Sequence, residues 1–148
     1  MLRFIILITA IFATTSAPAE PGTAQSLAYT RVYTGEDGLT HFADAKVMLE
    51  LKDFAPPAPP LALSSRIPAS DIAFAVLNAG WDGDWHPAPR RQFALMLAGS
   101  LEVETEDGET RRFHAGGIFS VEDVTGRGHR SRVVGTDTVV VALVPILE

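Results

Sequence analysis

The sequence predicts an all-β domain of antiparallel strands closed as a sandwich or barrel. Three observations predict it: short runs in which apolar and polar residues alternate, Gly-rich turns between those runs, and no amphipathic helical pattern beyond the N-terminal segment. The chain has 148 residues and no internal repeat, which fits one domain plus an extension. Apolar residues make up 47% of it, enough for a sizeable core.

The first segment reads "MLRFIILITAIFATTSAPAE". Arg3 precedes an apolar run from Phe4 to Ala13, and Ala17-Pro18-Ala19 closes it with small residues. These are the charged region, apolar region and cleavage site of a secretory signal peptide. The apolar run is about half the roughly 20 residues a membrane-spanning helix needs. The expectation is removal of residues 1–19, export to the periplasm or the medium, and no membrane span after removal. "EPGTAQSLA" (20–28) is small and polar and reads as a disordered lead-in, with the barrel domain over 29–148. There is no cysteine, so the domain holds together by burial without disulfides.

The strands follow in order. "YTRVYT" (29–34) alternates, and "KVMLELKDF" (46–54) puts Val47, Leu49 and Leu51 opposite Glu50 and Lys52. "APPAPP" (55–60) is neither helix nor central strand, because proline fixes φ and lacks the N–H donor. "DIAFAVLNA" (71–79) and "RQFALML" (91–97) are the next strands. "SLEVETE" (100–106) and "TRRFH" (110–114) form a hairpin across an Asp-Gly turn. "IFSVE" (118–122), "HRSRVV" (129–134) and "TVVVALVPIL" (138–147) complete the set; the last is apolar on both faces and predicted to be central.

The formal net charge is -6 and no stretch is strongly basic, which excludes nucleic acid as a partner. There is no phosphate loop, no serine nucleophile elbow and no zinc-protease histidine pair. Chemistry falls to His, Gln, Arg, Asp or Glu on strands and loops. The histidines are His41, His86, His114 and His129. His41 and His114 read as surface residues, His114 beside the Ala-Gly-Gly turn.

Around the other two the sequence resembles the cupin superfamily. The first cupin motif is Gly, five residues, His-x-His, three or four residues, Glu, six residues, Gly. Gly80, His86 and Gly99 stand at those spacings, with Ala88 at the second His and Gln92 at the Glu. Gly126 and His129 match the centre of the second motif. There Gly117 is one residue out of step, and Val124 and Val133 replace a Pro and an Asn. The resemblance implies an antiparallel jelly-roll barrel whose mouth holds one divalent metal ion on three His and one Glu. Of that set this chain keeps His86 and His129, with the neutral amide of Gln92 as a third candidate ligand. A homodimer is plausible by the same analogy.

Strand parity adds further candidates. If His86 and Gln92 point inward, Ala88, Arg90, Ala94 and Met96 share that face. An inward Arg90 needs an anionic partner: a ligand, or an internal carboxylate such as Glu122 or Asp123. Trp81 and Trp85 are either packing residues or an aromatic wall for a small ligand. Arg90, Trp85 and Met96 are therefore the ligand-binding candidates, and no catalytic residue is assigned. The first functional reading is an exported cupin-type protein binding a small molecule, an anion if Arg90 meets it, at a depleted metal site. The alternative is a metal-dependent oxygenase, isomerase or lyase using His86, Gln92 and His129. A purely structural or oligomerising domain is the third.

Overall fold

A computed structural model describes residues 25–147. The expected signal peptide and residues 20–24 of the expected lead-in lie outside the described residues. Ten strands and no helix are found among the described residues: β1 (Gln25–Thr34), β2 (Thr40–Lys52), β3 (Leu61–Ser64), β4 (Ala73–Leu77), β5 (Gln92–Ala98), β6 (Ser100–Glu104), β7 (Thr110–His114), β8 (Ile118–Val121), β9 (Arg130–Val133) and β10 (Val139–Pro145). β1 starts at Gln25, inside the stretch expected to be disordered. Its first four residues are held by the long β2, from Gln25 opposite Leu49 to Ala28 opposite Lys46. Composition alone could not reveal that pairing, because the partner supplies the order.

One sheet runs β3-β2-β1-β8-β5-β10-β4 and the other β7-β6-β9. All neighbours are antiparallel except β1 and β8, which run parallel. A parallel pair needs a long connection, and the chain between β1 and β8 winds through most of the barrel. β10 lies between β5 and β4, as its two apolar faces predicted. Gly99 alone separates β5 from β6 and carries the chain from one sheet to the other. Its φ is +74°, and a Cβ there would lie 2.7 Å from the Thr138 carbonyl oxygen, so only glycine makes this corner without strain.

The core lies between the sheets. Val32, Phe42, Met96, Leu101, Val103, Phe113, Phe119 and Val141 are buried there, and the Phe113 and Phe119 rings stack with centroids 4.3 Å apart. Alternation along β5 sends Gln92, Ala94 and Met96 inward, all three buried.

Charges on the outer faces pair across strands. Glu122 accepts two hydrogen bonds from Arg31, at 2.8 and 2.7 Å, and others from Ser120 Oγ and Arg91. Arg31 above all, with Ser120 and Arg91, holds the Glu122 carboxyl down at about 2 against the desolvation that opposes it. On the small sheet Glu102 stands opposite both Arg112 and Arg132 and is paired to each.

His41, the second residue of β2, stands between two carboxylates. Its Nδ1 lies 2.8 Å from Asp107 Oδ2, and its Nε2 lies 2.9 Å from Asp37 Oδ2. A carboxylate only accepts, so both ring nitrogens must carry protons to make both bonds. Asp37 first, then Asp107, raise the His41 pKa above its ordinary value. The cation clasps the β1–β2 turn to the tip of the β6–β7 hairpin. Because the folded value is raised, this contribution is full below the unfolded value of about 6.5 and is lost as pH rises through the folded one. In urea denaturation, wild type should therefore exceed His41→Gln most at about pH 5.5, and the gap should shrink by about pH 8.5. A gap that widens with pH would contradict the doubly donating imidazolium.

Candidate functional site

The mouth of the barrel is built by two loops, residues 78–91 between β4 and β5 and residues 122–129 between β8 and β9. The first lies along β9: the Gly83 N–H donates to the Ser131 carbonyl at 2.9 Å, and the Val133 N–H donates to the Trp81 carbonyl at 2.9 Å. The loops then meet in a reciprocal pair. His86 N–H donates to His129 O and His129 N–H to His86 O, both at 3.0 Å. The preceding residue must be glycine. Gly128 has φ +84°, and a Cβ there would sit 2.0 Å from the His86 carbonyl oxygen. Thr40, fully buried at the start of β2, donates its hydroxyl to the Gly128 carbonyl at 2.8 Å.

This seam puts the two imidazoles side by side, ring centroids 4.8 Å apart. Each ring is held by its Nδ1. That of His86 lies 2.8 Å from the Asp84 carbonyl oxygen, and that of His129 lies 2.7 Å from Asp123 Oδ2. Both partners only accept, so each Nδ1 carries the proton, and in the neutral ring Nε2 is left with a lone pair. Neither Nε2 has a hydrogen-bond partner among the described residues. Asp123 is fully buried, and its Oδ1 also lacks one.

Both rings border a cavity of about 160 Å³. Gln92 borders it too, buried and with no side-chain partner among the described residues. Ser131 and Trp81 complete the polar wall. The rest is apolar: Ala75, Leu77, Ala88, Pro89, Ala94, Leu101, Phe119, Val121, Val141 and Leu143. Among the described residues no Lys, Arg, Asp or Glu lines it.

The structure thus brings His86, Gln92 and His129 together and leaves the three ligand-binding candidates off the wall. Arg90 points outward; its side chain is 59% exposed and 3.7 Å from Asp71, not beside Glu122 or Asp123. The parity count failed because β5 begins only at Gln92, and Pro87 and Pro89 keep the preceding residues out of the sheet. Trp85 turns to Arg127, whose guanidinium lies 4.1 Å from the ring centroid, a cation–π contact at the lip. Met96 is inward as expected but packs in the core. Trp81, not Trp85, is the tryptophan on the wall. Ser131 escaped sequence reading, since nothing local marks it. Asp123 was visible only as a carboxylate near the second motif; its true partner is the imidazole six residues on.

No protein-family model matches the chain, and no curated protein matches it. Solved structures that it is similar to include the following three. Protein NMB1881 from Neisseria meningitidis is 16% identical, with a TM-score of 0.43 over 55% of this chain and 84% of that one. The Schizosaccharomyces pombe Cnp3 cupin domain is 13% identical, with a TM-score of 0.43 over 83% of this chain and 84% of that one. A putative ethanolamine utilization protein EutQ from Salmonella typhimurium is 20% identical, with a TM-score of 0.33 over 83% of this chain and 96% of that one. Two sheets, no helix among the described residues and a cavity at one mouth define an all-β barrel domain, the fold class that the sequence predicts. The chemistry of its site is read from its own residues.

A resident divalent metal does not fit the donors present. Two imidazoles and a neutral amide supply no negative charge, and the nearest carboxylate, Asp123, stands behind His129 instead of facing the cavity. Among the described residues no group of three or more His, Cys, Asp or Glu could hold an ion.

Two predictions follow from the seam and the rings. Gly128→Ala should cost about 2 kcal/mol or more of stability, because left-handed strain adds to the clash with His86. Gly126→Ala is the control, with φ +82° but its nearest neighbour at 3.6 Å. Equal urea midpoints for the two variants would refute the seam. In nitrogen-15 spectra, the neutral form of both His86 and His129 should be the Nδ1–H tautomer; a neutral ring protonated on Nε2 alone would contradict the assignment.

Proposed function

We propose that the protein binds one small, uncharged molecule that donates hydrogen bonds, inside the cavity at the barrel mouth. The observation that carries this is the pair of fixed imidazoles, His86 and His129, each leaving an Nε2 lone pair on one largely apolar cavity. A lone pair accepts, so the matching group on the ligand is an O–H or N–H. Gln92 can donate or accept beside them. At roughly 30 Å³ per water, the cavity suits a ligand of roughly five to eight non-hydrogen atoms. An anion is disfavoured, since Arg90 lies outside and no cation lines the wall. The N-terminal segment supports export of this binding protein to the periplasm or the medium.

The rival reading is a metal-dependent enzyme on the same residues. One feature favours it: a carboxylate behind His129 and a carbonyl behind His86 are the outer partners that metal-bound histidines also have. Ligand-observed NMR with phenol, small alcohols and small amides, against carboxylates of matched size, separates the two together with metal analysis. Neutral donors should bind, and His129→Ala or Gln92→Leu should weaken them about tenfold for each hydrogen bond lost. Preference for the carboxylates sinks the proposal. So does near-stoichiometric metal that disappears in His86→Ala and His129→Ala, which would establish the rival.

A further inference from the structure

β9 brings a hydroxyl to the cavity on the same side as the imidazole of His129. His129 directly precedes the strand, and Ser131 is its second residue. Side chains two residues apart on an extended chain share a face, so ring and hydroxyl belong to one wall, their Cα atoms about 7 Å apart. The strand is held from both sides. β6 sets Val103 opposite Ser131, and from the mouth loop the Gly83 N–H donates to the Ser131 carbonyl at 2.9 Å. These contacts use the backbone and leave the side chain to the cavity. Ser131 is 7% exposed, Gln92 8% and His129 6%, and all three line the cavity. Among the described residues neither the Ser131 hydroxyl nor the Gln92 amide has a hydrogen-bond partner.

The wall therefore offers two kinds of group. In the neutral rings the two Nε2 lone pairs only accept. The Ser131 O–H and the Gln92 N–H groups carry protons, and among the described residues nothing receives them. A ligand that only donates would fill the lone pairs and leave those protons buried and unpaired, which weakens binding. A ligand that also accepts would pair them. In a cavity of about 160 Å³ the accepting atom lies close to the donating one. His129 and Ser131 share one wall, so donor and acceptor must leave the ligand along one edge. A ring amide has such an edge, because the ring holds its N–H and C=O cis. An open-chain secondary amide is trans and sends them apart.

We infer, resting on the proposed use of the two lone pairs, that the neutral ligand of this cavity carries a carbonyl on the same edge as its donor, as a lactam does. The donor meets His129 Nε2 and the carbonyl meets the Ser131 hydroxyl. Ser131 is then a specificity-determining residue. It separates ligands that have the carbonyl from those that lack it, because the analogue without it leaves a buried hydroxyl unpaired.

Three small rings of similar size test this by ligand-observed NMR with the full chain. γ-Butyrolactam has N–H and C=O on one edge, pyrrole the N–H alone, and cyclopentanone the C=O alone. Pyrrole should bind, and the lactam should bind about tenfold or more tighter than cyclopentanone, which lacks the donor. Ser131→Ala should weaken the lactam about tenfold and leave pyrrole within about twofold. Circular dichroism checks that this variant folds, and Ser131→Cys, similar in size and a weak donor, replaces it if it does not. A variant that weakens lactam and pyrrole alike, or neither, overturns the role of Ser131, while the binding of pyrrole keeps the lone-pair reading. Failure of pyrrole to bind, or a lactam bound no tighter than cyclopentanone, overturns the lone-pair reading and the role of Ser131 with it.

Discussion

The site depends on one backbone contact, the reciprocal pair of hydrogen bonds between His86 and His129. Each histidine sits on a loop, and a loop alone does not hold a ring at a set distance from another. The seam removes that freedom, because it aligns the two main chains as if they were neighbouring strands. Gly128 is what lets the main chains approach; the space a side chain would need is occupied by the His86 carbonyl. Thr40 then ties the same peptide to β2, so the seam is fastened to the large sheet as well as to the loops. Ring separation is thus set by peptide geometry, and the side chains only complete it.

The buried carboxylates show why His129 is fixed so firmly. Glu122 and Glu102 are answered by guanidinium groups, which carry their charge at any working pH. Asp123 has only an imidazole. Its Oδ2 takes the Nδ1–H of His129, and its Oδ1 has no partner among the described residues. A buried carboxylate with one donor holds that donor tightly, since losing it would leave the group wholly unpaired. The same bond that satisfies Asp123 therefore commits the His129 tautomer and leaves Nε2 to the cavity. The satisfaction of Asp123 and the lone pair offered to the cavity rest here on one proton.

Much of the fold was legible because strands carry their period in the sequence. "TRRFH" and "SLEVE" are strands within a residue or two of where alternation placed them, with the Asp-Gly turn between. The interior position of β10, paired on both sides, followed from its two apolar faces. The parallel pairing of β1 with β8 and the early start of β1 were not legible, since both depend on partners distant in sequence. At the site, motif spacing singled out His86, Gln92 and His129, and the structure places all three on one cavity. Parity then misplaced Arg90, because alternation holds only inside a strand and two prolines end it before Gln92. Asp71, its actual partner, lies in the connection before β4, and nothing in the sequence ties the two. Trp85 and Met96 lie off the cavity wall for different reasons: one turns to a nearby guanidinium, and the other is inward but packs in the core.

The cavity and the outer apolar face are two sides of the same strands. Ala75 and Leu77 alternate with Phe74 and Val76 along β4, and Val141 and Leu143 with Val140 and Val144 along β10. One layer of sheet separates the cavity from the surface, and β4 is its edge, hydrogen-bonded on one side only. An edge strand with a single neighbour is the part of a sheet that opens most readily. It is also a strand that other chains can join unless something covers it.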